Sequence, residues 1–596
     1  MRARVIGIWL FSLLCGAACQ RSHRPAPVSS EPSPSATKST APSSPNVLLE
    51  EIERENLEAE LALSPSLAFS LGLRRDEDRL DDLRSESQMR ESARLRALAA
   101  RVRAMDPTTL DEPHRLGRRL LLWRVDGALF DLVELRPLER NPVSYLQAIN
   151  AGIDPFVSDL LTAERLRLLT ARLWKVGPLL GEARRNLRST TPELAVKRAV
   201  ELSQTTQAFV AETLPKLVAT SDAKQLEDFR SGSADAQRAL EDFATWLKRD
   251  LLPRAHGEAA LGRDRLAERI RLWTGEKISP DHLLVCAERA LERARNRSDE
   301  SARLLVQTRP GTDPMKLVEE DQDRPEELEV AVQLALAALT DFASDHHLVA
   351  AVRPRVTTLP PGRWGLMQVN ASGPLDAHPR EPTVLVDSLE IPIDENMTEK
   401  RRRQLQLEAT RVINRSMIQL TLLHDVLGHL VVEEANRRAP GLGEKTFLSP
   451  LSEEGFAAAM EAVVLDAGYA AGDRKLRYLA ARNDLLRAVR LVVTLRLHAF
   501  SAKVDDAIKV MMEQALVDEQ QARFEVERSL RDPFAGMEAL GELIVETLRR
   551  DYLAAHPGAS LEEFHRLLLA HGSIVPQEIR HLLLAHDSGE LIAEDL

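Results

Sequence analysis

The sequence predicts a mainly α-helical protein with a small β-element just ahead of its most chemically loaded helix. Three observations carry that prediction. The composition is globular: 44% hydrophobic and 29% charged residues, with 4% aromatics and four tyrosines. Leu, Ala, Arg and Glu are abundant and β-branched alternation is scarce, which favours helix. Apolar residues recur at three- and four-residue spacing through most of the 596 residues, the signature of a helix face. Between about residues 348 and 389 the texture changes to Val-rich runs separated by Pro and Gly, which predicts strands.

In chain order, Arg2 and Arg4 precede an apolar run from Val5 to Leu14, followed by Cys15-Gly16-Ala17-Ala18-Cys19. A basic start, a short apolar stretch and small residues make a secretory signal peptide, too short for a stable membrane span. Its ending resembles a bacterial lipobox, with Cys19 as the lipidated residue and Cys15 as the alternative. Residues 20–47 are rich in Pro, Ser, Thr and Ala. Such a segment cannot bury a core and is expected to be a disordered tether. The expected division is therefore signal peptide 1–19, tether 20–47, an N-terminal helical part 48–345 and a C-terminal part 346–596 that carries the site. Of three cysteines only Cys286 falls in the folded part, so no disulfide forms within it.

The helical pattern predicts helices at 48–63, 91–105, 113–135, 162–187, 192–219, 233–251, 256–274 and 279–296, then at 328–343. Strands are expected at 348–357, 364–371 and 383–389. A long helix at 400–430 carries two histidines near its end. Ser452 with Glu453-Glu454 opens the next helix, and further helices follow at 477–500, 505–514, 519–530, 536–554, 560–569 and 576–585.

The chemistry concentrates in Thr421 to Gly468. His424 and His429 lie on one apolar helix, with Asp425 beside the first and Glu454 on the helix that follows. Two imidazoles and a carboxylate from a following helix form the ligand set of a catalytic zinc site with one open position. An acid next to the first histidine is where the general base of helix-borne zinc hydrolases sits. The spacing is unusual: in an ordinary α-helix, residues five apart diverge by about 140°, against about 40° for residues four apart. A one-residue π-bulge restores a common face, and such bulges concentrate at functional sites; Gly428 tolerates the distortion. The competing reading is two unrelated histidines on a buried helix, each satisfied by a neighbour. Glu433, one turn beyond His429, could reach a metal but reads as part of a solvated face.

Several segments resemble, in order, the bacterial family of domain of unknown function 885, within the zincin metallopeptidase superfamily. Glu454 to Glu461 (E-G-F-A-A-A-M-E) and Leu465 to Gly468 look like the family's E-G-W-A-L-Y-x-E followed by E-x-G. Arg487 to Ala499 (R-A-V-R-L-V-V-T-L-R-L-H-A) looks like its R-A-x-R-L-V-V-D-T-G-x-H-A. Asp505 to Ile508 and Ser560 to Pro576 also fit, and Asn141 to Leu146 and Gly257 to Gly262 agree more loosely. The similarity spans about 50–585. It implies a gluzincin-like helical body with a deep cleft, one zinc ion on His424, His429 and Glu454, and Asp425 in the catalytic Glu position. Glu461, with Glu453, would be an acid that orients a ligand, and His498 a cleft residue supporting the tetrahedral intermediate.

The chain departs from the family in three places. Where the family has H-E-x-x-P-G-H, this chain has H-D-V-L-G-H, with the five-residue spacing of the H-E-L-L-G-H in dipeptidyl peptidase III. The Asp is one methylene shorter than Glu, and a shift of about 1 Å can cost about 10²-fold in rate. The family's Asp in V-V-D-T-G is Thr494 here, and Pro533 to Gly541 contains no tyrosine to serve an oxyanion.

These observations define two readings of function. The first is a lipid-anchored zinc metallopeptidase hydrolysing short peptides; the second is a catalytically impaired relative that binds a peptide or partner in a helical cleft. The net charge of -12 gives no basic footprint for nucleic acid. The implied partners are a peptide and, through the lipid, a membrane. Oligomeric state is left open. Gln20 after Cys19 lacks the Asp associated with inner-membrane retention, which points to the outer membrane.

Overall fold

Helix α1 (Pro45–Leu63) starts where the Ser/Pro-rich segment ends, because Ser44 accepts a hydrogen bond from the Val47 N–H and Pro45 sits in the first turn, where its missing N–H costs nothing. The computed structural model describes residues 44–157, 161–219, 222–324, 327–350, 352–358, 367–386, 398, 400–401, 403–404, 413–585 and 589–593. The signal peptide and nearly all of the tether lie outside the described residues, as do parts of the expected strands at 364–366 and 387–389. Helix makes up 73% of the structure and strand 3%. The protein is mainly α with one small sheet.

Among the helices of the first half are α2 (Glu112–Leu129), α3 (Ala163–Asn186), α4 (Glu193–Ala208), α5 (Ala223–Trp246) and α6 (Pro280–Leu305). Three of them close the same way. α2, α4 and α5 each run into a widened π turn, ending at Leu135, Thr213 and Leu251, two residues before Pro137, Pro215 and Pro253. Proline lacks an N–H and disfavours α geometry in the residue before it, so the predicted continuous helix at 192–219 ends early. The helix predicted at 256–274 begins only at Arg263. Residues before it form a loop against Ser189–Thr191, where a Cβ on Gly257 would collide with the Thr190 carbonyl.

α7 (Leu328–Asp345) leads into a three-stranded sheet of order β1-β3-β2. β1 (Arg355–Thr358) runs parallel to β3 (Thr383–Val386), and β2 (Met367–Asn370) runs antiparallel to it. β2 is an edge strand, and it packs against the histidine-bearing helix. The remaining helices used below are α8 (Arg415–Leu422), α9 (Val431–Arg438), α10 (Pro450–Asp466), α11 (Arg474–Ala499), α12 (Glu519–Arg531), α13 (Glu538–Ala555) and α14 (Leu561–Leu568). α10 starts at Pro450 with Ser449 as its cap, three residues ahead of the expected Ser452.

α10 and α11 are buried around most of their circumference, as expected for helices that are apolar on all sides. They form the centre of the largest apolar core, which draws residues from Leu49 to Ile592 and so from both halves of the chain. A second core, Leu80 to Leu251, lies wholly in the N-terminal part and is built mainly by α3, α4 and α5. On its far side from the histidines, α10 meets α13 glycine to glycine: a Cβ on Gly455 would fall 2.4 Å from the Gly541 carbonyl carbon. Among the described residues no helix is long and apolar enough to cross a membrane.

His565 on α14 ties the C-terminus to this core. It is 2% exposed, packs edge-on to Phe456 of α10, and its Nδ1–H donates to the Leu348 carbonyl at 2.6 Å. Burial pushes the imidazole down to about 4. The unfolded chain therefore binds the extra proton first: this stability is full above about pH 6.5 and drains away as pH falls toward 4. We predict that it amounts to about 3 kcal/mol. His565→Gln should flatten that part of the stability profile in denaturant unfolding at pH 7.5 and pH 4.5. Equal acid sensitivity in wild type and variant would contradict it.

Candidate metal centre

The helix that carries the histidines is shorter than the sequence pattern suggests. Residues 405–412 lie outside the described set, and the helix starts after Asn414, whose Oδ1 accepts from the Met417 N–H at 3.0 Å. α8 then passes without a break into a π-helical segment, Leu423–Leu430, and on into α9. Hydrogen bonds in a π-helix run from residue i to i+5, so residues five apart stack one turn above another. His424 and His429 therefore share a face: their Nε2 atoms are 3.1 Å apart and their ring centroids 4.8 Å apart.

Gly428 lies inside the π segment, and it also lets that segment approach α10. A Cβ at this position would lie 2.6 Å from both the Cα and the Cβ of Ala457. That approach brings Glu454, one turn before Ala457, to the imidazoles. Its Oε2 is 3.8 Å from His424 Nε2 and 3.7 Å from His429 Nε2. A point equidistant from three atoms so spaced lies about 2 Å from each, the length of zinc–nitrogen and zinc–oxygen bonds. The donor set therefore fits a cation of that size. The Asp425 carboxylate is also close, within 4.8 Å of a nitrogen of each histidine. Glu454 Oε2 and the Asp425 carboxylate thus both stand beside the paired imidazoles, one from each helix.

His424 is oriented from behind. Its Nδ1 lies 2.9 Å from Glu461 Oε1, so Nδ1–H donates to the carboxylate and Nε2 faces the shared centre. Glu461, 3% exposed, is in turn gripped by Arg487, whose Nη1 donates to both carboxylate oxygens at 2.9 and 3.0 Å. The Arg487 Nε faces Glu542 at 3.5 Å. In the sequence Arg487 is flanked by apolar residues of α11 on both sides, Leu485-Leu486 and Ala488-Val489, and a charge so placed has to find a buried partner.

Burial dominates the electrostatics. It works against charge on His424, but the Glu461 carboxylate overcomes it and holds that imidazole up at about 9. Burial, with His424 second, pushes His429 down to about 3. It raises Asp425 to about 6 against the pull of His424, and it raises Glu454 as well. Among these carboxylates Glu461 moves the other way: Arg487 and His424 outweigh its burial and keep it ionised.

Two expected site residues are placed elsewhere, and both are corrections. His498 does not support an oxyanion: it is 2% exposed, its Nδ1 accepts from the Leu261 N–H at 3.0 Å and its Nε2–H donates to the Ser529 carbonyl at 2.9 Å. Both ring nitrogens are used in tying α11 to α12 and to the loop before Arg263. Glu453 orients no metal ligand; it accepts from Asn436 and Ser573 and so fastens the loop after α14 to α9 and α10. Glu433 is half-buried. Its Oε2 is buried and has no hydrogen-bond partner.

The fold is a large helical body with a small mixed sheet laid over a histidine-bearing helix. Residues 65–583 match the family described as "Bacterial protein of unknown function (DUF885)", and the chain belongs to that family. Among curated proteins none matches. Two solved structures share the fold. One is described as a "putative lipoprotein of unknown function" from Shewanella oneidensis, with TM-score 0.70 and 16% identity, covering 90% of this chain and 99% of that one. The other is described as a "putative lipoprotein" from Colwellia psychrerythraea, with TM-score 0.68 and 14% identity, covering 91% and 99%. At these identities the likeness is one of fold alone.

Two outcomes follow from this geometry. Gly428→Ala should lower stability by about 1–3 kcal/mol through overpacking and weaken metal binding, by chelator competition, at least about tenfold. Unchanged values for both would remove the helix contact from the account. Arg487→Met strands Glu461 as a buried charge and should cost about 3–5 kcal/mol in denaturant unfolding. Adding Glu461→Gln should recover part of that loss; a strictly additive double variant would show that the two do not interact.

Proposed function

We propose that the protein is a lipid-anchored, zinc-dependent peptidase acting on short peptides. The observation that carries this is the convergence of His424 Nε2, His429 Nε2 and Glu454 Oε2 within 3.8 Å of one another, with His424 held from behind by Glu461. Zinc on these three ligands would supply Lewis acidity, activating water and polarising a peptide carbonyl. Asp425 lies close enough to take a proton from water and pass it to the leaving amine. Glu461 fixes the ring of His424, the role such carboxylates play behind metal-bound histidines. The edge strand β2, packed against the π segment, offers main-chain donors and acceptors to an extended peptide. Attachment through Cys19 is supported by the lipobox-like ending of the apolar run and by the lipoprotein descriptions of both structural neighbours; Gln20 favours the outer membrane.

A second reading has its own support. Asp425 is one methylene shorter than the family's Glu, and His498 is committed to backbone partners. Both favour an impaired relative that keeps the cleft and binds peptide without turnover. Purified wild type, loaded with one zinc per chain, should hydrolyse peptides from a short-peptide library, and His424→Ala should abolish it. A silent wild type that Asp425→Glu switches on would establish the second reading. Protein that neither cleaves in either form nor binds any peptide of the library would sink both.

A further inference from the structure

Beyond His429 the same helix continues into α9, and its outer face forms one wall of a cavity of about 450 Å³. The opposite wall is the connection from β2 to β3, with Arg380 and Glu381, and the residues just before β1. Glu433, Glu434, Arg437 and Arg438 line the helical side. The charges there are unequal. Arg437 forks onto Glu434 through Nε at 3.0 Å and Nη2 at 2.5 Å, and Arg438 reaches the same Oε1 at 2.6 Å. Two guanidinium groups thus share one carboxylate. Each guanidinium has five N–H donors in a planar fork, so most of the donors on this wall remain unused by Glu434. Glu433 adds a buried carboxyl oxygen with no partner.

We propose that this cavity, one to two turns along the helix from the paired histidines, is a specificity subsite where Arg437 and Arg438 receive a carboxylate of the bound peptide. The proposal rests on the peptide reading of the metal centre and sharpens its substrate class. A planar guanidinium fork matches a carboxylate in shape as well as charge. The rise of a helix puts Arg437, eight residues past His429, about 12 Å along the axis from the metal ligands. An extended peptide covers that length in about three to four residues. The carboxylate is therefore either the C-terminal group of a peptide trimmed a few residues from its end or the side chain of an internal Asp or Glu at that distance.

The test is equilibrium binding to the full-length lipidated protein in detergent, in an Asp425→Asn background that keeps the three metal ligands. The probes are N-acetyl tetra-alanine as free acid and as C-terminal amide, and an N-acetyl tetrapeptide amide with Glu at its last position. The free acid should bind about tenfold tighter than the alanine amide, the scale of one charge-assisted hydrogen-bond pair. Full recovery by the Glu amide would assign recognition to side chains as well as chain ends, and no recovery would assign it to the terminus alone. The Arg437→Gln/Arg438→Gln double variant should bind all three alike. Glu434→Gln, which frees the same guanidiniums, should widen the preference, and a destabilised fold would not do that. Equal binding of all three probes, a preference that survives the double variant, or no binding at all overturns the proposal. Hydrolysis by wild type without a carboxylate preference would sink the subsite and spare the peptidase reading. A preference without hydrolysis would do the reverse.

Discussion

The structure depends on how closely the π segment and α10 approach. Two helices normally sit 8–10 Å apart, set by the side chains between them. Here Gly428 faces Ala457, and no larger residue fits between the backbones. The approach brings Glu454 within reach of imidazoles that sit on a different helix. The π turn supplies the other half of the geometry, stacking two histidines that an α-helix would splay. Neither feature is sufficient alone. A π turn at normal packing distance would leave two histidines without an acid, and a close α-helical contact would bring only one imidazole to Glu454.

Placing this many ionisable groups in a dry layer has an electrostatic cost, and α11 supplies the compensation. Arg487 lies 3% exposed between Glu461 and Glu542, and one turn further on Arg490 forks onto Glu525 at 2.7 and 2.8 Å. A buried carboxylate is tolerated when paired and fully hydrogen-bonded. Glu461 meets that condition and so stays available as a fixed acceptor behind His424. The same helix uses His498 for a structural purpose, bridging two backbone segments as a neutral ring.

How much of this was legible in the sequence varies with the range of the interaction. The helical class and the position of the small sheet came from local periodicity, because 3.6- and 2-residue repeats are written directly in the chain. The π turn was legible too, since a five-residue histidine spacing has few other ways to put both rings on one face. His498 was not: a motif position does not tell whether a ring nitrogen meets a cleft or a carbonyl, and here the carbonyl belongs to Ser529, 31 residues away. Glu453 and Glu454 are adjacent in sequence, but neighbouring residues on a helix face about 100° apart, so one serves the centre and the other fastens a C-terminal loop. The cavity beside α9 had no sequence signal at all, because its walls come from segments that lie between 51 and 88 residues apart, from Pro382 to Glu433 and from Ala350 to Arg438.

The most direct measurement is anomalous diffraction at the zinc edge from crystals of the protein purified without added chelator. The account predicts one strong peak about 2 Å from His424 Nε2, His429 Nε2 and a Glu454 carboxylate oxygen, the bond length of a three-ligand zinc site. A zinc-supplemented crystal with no peak there, or with the two imidazoles turned away from each other, would contradict it.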